Sequence, residues 1–132
     1  MALQFADSTR NAMLDAIETD LGASALLRLA TGAQPANCAA ADSGTELIVI
    51  SLPADSWDAA SGGTKAKAGT WSGTATGGAA STPGHFRFKT SGAVVKMQGS
   101  AGIGSGDMSF DGTITSGQTV TVSTAVLTGG GA

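Results

Sequence analysis

The side chains able to do chemistry are few and scattered. Asp42-Ser43-Gly44-Thr45 contains the Asp-Ser-Gly tripeptide, in which aspartic proteases set a carboxylate that shares a proton with a second one. A single copy would need a dimer to build that dyad. The residues before it, Ala39-Ala40-Ala41, read as loop, so a turn leading into a strand explains the same letters. Gly102-Ile103-Gly104-Ser105-Gly106 has glycines spaced as in a phosphate-cradling loop, but neither a helix nor a Lys-Ser/Thr pair follows. A glycine-rich β connection is the better reading. His85 and Cys38 are the single histidine and cysteine. A metal site needs three or four ligands, so His85 is expected to be a surface or loop-packing residue. Cys38 has nothing basic beside it and reads as a small semi-apolar filler, unable to form an internal disulfide. No catalytic, cofactor-binding or metal-ligating residue is assigned.

The cations pose the next question. Arg87, Lys89 and Lys96 share a predicted hairpin, and Lys65 and Lys67 share another strand. They could form a small basic face, or act as edge-strand charges that block wrong pairing. Seven basic against ten acidic residues give a formal net charge of -3, which favours the second reading. It also opposes direct binding to nucleic acid or an anionic membrane, both of which want a basic patch. Trp57 and Trp71 lie among Gly, Ser and Thr. Carbohydrate stacking is one use for them; core or interface anchoring is preferred, because few other side chains supply much burial.

These residues must be positioned by mainly β structure. A single domain, 1–132, is expected from the length, and such a chain can bury a core without disulfide or metal. Disorder would require low hydrophobicity with high net charge; this chain is 42% apolar and 13% charged. So little charge for a soluble surface implies that part of it meets protein.

The spacing predicts a helix over 7–21, capped by Asp7 or Ser8 and closed by Gly22. Met13, Leu14, Ile17 and Leu21, with Ala12 and Ala16, form its apolar stripe; Asn11, Asp15, Glu18 and Thr19 face away. Phe5 is placed to staple the first turn. Strands are expected at 25–30, 45–52, 64–67 and 69–76, the second buried on both faces. A hairpin, 85–90 with 93–98, turns at Ser91-Gly92 and sets Phe88 opposite Val95 and Phe86 opposite Met97, all four on one face. Another strand begins at 107–110, and 119–127 forms a last one, with Val120, Val122 and Val126 on its buried face. Segments 33–44 and 99–106 read as loops, and 129–132 as a flexible tail. Seven or eight short strands at such spacing make a β-sandwich or jelly-roll-like fold over 25–128, its one N-terminal helix covering a sheet edge or open end. The opening Met1-Ala2-Leu3-Gln4-Phe5-Ala6-Asp7 lacks a basic start and an apolar run, so no signal peptide is expected. No stretch approaches the roughly 18 apolar residues of a membrane span.

Phe5-Ala6-Asp7-Ser8-Thr9-Arg10-Asn11-Ala12-Met13-Leu14-Asp15-Ala16-Ile17, Gly22-Ala23-Ser24-Ala25-Leu26-Leu27-Arg28-Leu29 and Thr31-Gly32-Ala33-Gln34-Pro35-Ala36 resemble the start of a family of small virion structural proteins of tailed bacteriophages and prophages. The Leu-Pro strand end, the Phe-Arg-Phe hairpin with Met-Gln-Gly and the Val/Thr-rich last strand are similar in layout. The resemblance implies location in the virion after synthesis in the host cytoplasm, and no catalytic residues. With the low charge, it leads to the expectation of a capsid decoration, or cement, protein bound non-covalently to the major capsid protein or other virion proteins and to its own copies. The alternatives are a neck, tail or baseplate component, or a carbohydrate-binding virion module.

Overall fold

A computed structural model describes residues 3–131; Met1 and Ala2 of the opening and Ala132 of the expected tail lie outside them. Helix α1 (Asp7–Leu21) has the expected bounds, and Gly22, at φ 76°, closes it by donating to Glu18 O. Its start differs from the expectation. Ala6 is the N-cap and makes no side-chain bond, while Asp7, inside the first turn, pairs with Arg10 at 2.8 Å.

Nine strands follow among the described residues: β1 (Leu26–Ala30), β2 (Glu46–Ser51), β3 (Thr64–Ala66), β4 (Trp71–Thr74), β5 (His85–Lys89), β6 (Val95–Ile103), β7 (Met108–Phe110), β8 (Thr119–Val122) and β9 (Val126–Thr128). The larger sheet runs β2-β1-β5-β6-β7; the ribbons β3-β9 and β4-β8 complete a β-sandwich-like fold.

Register divides the larger sheet into two chemically different faces. Ile50, Leu27, Phe88 and Met97 form one cross-strand row, and Ile48, Leu29, Phe86 and Gly99 the next. Alternation sends both rows inward. Gly99 belongs there because a Cβ would stand 2.6 Å from the Phe86 ring. The rows between them, including Val49-Arg28-Arg87-Gln98, point to the other face.

Across the inner face lie Trp71 and Gly73 of β4, with Val120 and Val122 of β8; Gly73 leaves room for Ile48 and Ile50. Trp57 and Trp71 meet edge to face at 4.9 Å, and Phe88 stands 5.8 Å from each. These large rings pack among the buried Leu, Ile and Val side chains and add a large apolar area to the core of an Ala-rich chain.

Several expectations need correction. Phe88 pairs with Met97 and Phe86 with Gly99, not with Val95 and Met97. The turn explains this: Ala93 adopts φ 66° and donates to Thr90 O, while Thr90 N donates to Val94 O. Three residues therefore connect the strands instead of two, a bulge follows Phe88, and Val95 pairs with Lys89 on the other face. β6 also extends through Gly99–Ile103, where a loop was expected. β2 is an edge strand with Val49 39% exposed, so it is not buried on both faces. The expected last strand breaks at 123–125: β8 pairs with β4, and β9 leaves to pair with β3, exposing Val126.

The tail is held. Gly129 N donates to Gly63 O and Phe5 N to Gly131 O, and the Phe5 ring lies over Gly131.

Candidate functional site

Three arrangements gather the side chains singled out in the sequence. The first lies on the outer face of the larger sheet. Arg87 and Lys89 are on β5, the central strand, and Arg28 is opposite Arg87 on β1; all three are buried. They do not guard an edge, and they are not an exposed basic face. Loop 31–45 covers them. Its Asp42 carboxylate accepts from Arg87 at 2.9 Å and from Lys89, and lies 3.7 Å from Arg28. Glu46 accepts from Arg28 at 3.0 Å. Loop carbonyls satisfy other donors: Asn37 O and Ala40 O take Arg87, and Ser43 O takes Arg28. Partial burial alone would raise the Asp42 carboxyl, but hydrogen bonds from Lys89 and Arg87 and the charge of Arg28 hold it below the usual carboxylate range. The Asp-Ser-Gly tripeptide thus supplies the counter-ion that fastens a loop. His85 is fully buried, not a surface residue, and its Nδ1 donates to Gly32 O of the same loop at 3.0 Å. Cys38 sits half-buried in the loop.

The second arrangement joins α1 to β3. Lys65 is 1% exposed and reaches Asp15 Oδ1 and Glu18 Oε2, each at 2.7 Å, as well as Asp58 O. Asn11 accepts from Gly63 N, and Asp15 also from Ala60 N. Asn11, Asp15 and Glu18, expected to face away, are thus the residues that dock the helix on the β3 side. Bonds from Lys65 and Ala60 N hold the Asp15 carboxyl below its ordinary range. Burial works to lower the Lys65 ammonium, yet its two carboxylate partners raise it.

The third is a cleft of about 570 Å³ on the side where the sandwich stays open. Trp57, Phe86, Phe88 and Met97 reach its floor; β7 forms one wall and the segment 121–127 the other. Two carboxylates, Asp107 and Asp111, stand on it, with no lysine or arginine among its lining residues. Asp107 accepts from Ser100 N and Oγ, which holds its carboxyl below the usual range. Both indoles are core anchors, 3% and 0% exposed, and offer no ring face for carbohydrate stacking. Sequence reasoning missed this cleft, because its walls are built by breaking one alternating Val/Thr run into β8 and β9.

Gly102 lies within β6 opposite Ser109 of β7, and Gly104 and Gly106, at φ 66° and 87°, make the tight connection between the two strands. Among the described residues, no three His, Cys, Asp or Glu side chains gather as a metal ion would require, and no helix is long and apolar enough to cross a membrane. No family model matches the chain, and neither a curated protein nor a solved structure shows significant similarity to it.

Proposed function

We propose that the chain is a structural protein of a tailed-phage virion, a capsid decoration protein that stabilises the head shell by binding the major capsid protein without covalent bonds. The observation that carries this reading is the open apolar cleft between two strand edges, a surface suited to holding another polypeptide. The phage-like opening from Phe5 to Ile17 supports the same reading. So do the exposed apolar side chains of Val94, Ile103 and Val126, which a surface with few charges presents to neighbours. Many copies on one particle would turn modest individual contacts into firm retention through multivalency.

Quantitative mass spectrometry of purified particles from the phage or induced prophage that encodes the chain tests this. Copy numbers comparable to those of the major capsid protein are expected. A number on the order of the symmetry of a single tail ring would move the protein to neck, tail or baseplate. Absence from particles would overturn the virion role.

A further inference from the structure

We infer that the cleft binds an extended polypeptide segment of a partner protein, one that alternates apolar residues and carries Lys or Arg, by adding it as a strand between β7 and the β8–β9 segment. This names the partner surface of the docking role above and rests on that role only for where the segment comes from.

The walls say what fits. β7 ends the larger sheet, while β8 and β9 are each paired on one side only. Phe110 O accepts from Gly104 N, on the β6 side. Strand alternation therefore turns the N–H and C=O of Ser109 to the free edge of β7. A free strand edge beside an apolar floor calls for a ligand that carries its own amides, as a β-strand does. An acyl chain would leave that edge unmet, and a sugar's hydroxyls do not repeat at the spacing of a strand's amides.

The floor and rim then specify the side chains. Inward-pointing residues of an added strand would meet Phe86 and Met97, which asks for apolar groups at alternate positions. Asp107 and Asp111 bracket β7, about 13 Å apart along an extended strand, and no lining cation offsets them. A segment with a basic residue beyond its apolar core complements that rim; an acidic segment would be repelled.

The test uses the purified full chain against a displayed library of random twelve-residue peptides. Enriched peptides should alternate apolar residues and contain Lys or Arg. Their affinity should fall about tenfold or more in Ser109→Pro, where proline removes an edge N–H outside the ladder, and about two- to fivefold in Asp111→Asn. An unchanged melting curve for both variants separates lost binding from lost fold. The assignment is overturned if no peptide is enriched, if the enriched ones are acidic, or if Ser109→Pro leaves their binding unchanged. It is also overturned if the chain self-associates through this edge, shown by a sedimentation change on Ser109→Pro, since the occupant is then a second copy. Peptide selection by a chain that is absent from particles would sink the virion role and leave the cleft assignment standing.

Discussion

Arg28 and Arg87 are direct cross-strand neighbours on β1 and β5, and both side chains are buried; among the described residues their carboxylate partners are Asp42 and Glu46. Like charges placed opposite one another destabilise a sheet, and Lys89 adds a third cation to the same face. The arrangement holds because loop 31–45 brings a shared anion and several carbonyls onto it.

Asp42→Asn should therefore weaken the whole fold. Removing one partner of a fully buried pair costs about 3 to 5 kcal/mol; the Asp42 side chain is 36% exposed, so solvent offsets part of that, and a loss of about 2 kcal/mol is expected from urea unfolding. The pH dependence follows from the lowered Asp42 carboxyl. The unfolded chain binds this proton more readily, so the stabilisation is complete above the unfolded value near 3.8. It is lost as the pH falls through the lower folded value. Wild type and Asp42→Asn should converge in acid, and a constant difference down to the lowest pH measured would refute the role.

Phe88→Ala should cost about 3 to 5 kcal/mol, the range for a buried aromatic. Phe88 is 2% exposed and stands within 5.8 Å of Trp57, Trp71 and Phe86. Tryptophan fluorescence should shift as well, because both indoles lose a neighbour. An unaltered melting curve would contradict the inner-face register.

Lys65→Ala should lower the melting temperature by roughly 5 °C or more and reduce the helical circular dichroism, since Lys65 ties α1 to β3. Lys65→Met, which keeps the aliphatic stem, should recover part of the loss. The raised Lys65 ammonium stabilises fully below its unfolded value of 10.5 and is lost as the pH climbs through the higher folded one. The alkaline limb of the stability curve should therefore flatten in both variants. Equal stability of wild type and Lys65→Ala would show that the Lys65 ion pairs do not hold the helix in place.

The local signals in the sequence carried far. The bounds of α1, the Gly22 stop and the placement of β1, β2, β5 and β8 follow from period and punctuation. Burial did not follow so well, because it depends on what lies across the face. His85-Phe86-Arg87-Phe88-Lys89 alternates as a half-exposed strand would, yet all five residues are buried, since a loop with no period of its own covers the polar side. A usable clue was Asp42, an isolated acid in an Ala-rich loop, set against cations on β1 and β5 that have no acidic neighbour in sequence. The same holds for α1: Asp15 and Glu18 look like a solvated face until Lys65, fifty residues away, is brought beneath them. The hairpin register failed on one backbone angle, that of Ala93, a residue that rarely takes a left-handed conformation.

Phe5 and Gly131 hydrogen-bond to each other, so the first and last described segments of the fold lie side by side. A short linker could join these two points and new ends could be opened at the exposed Ser91–Ala93 turn without cutting any strand pairing.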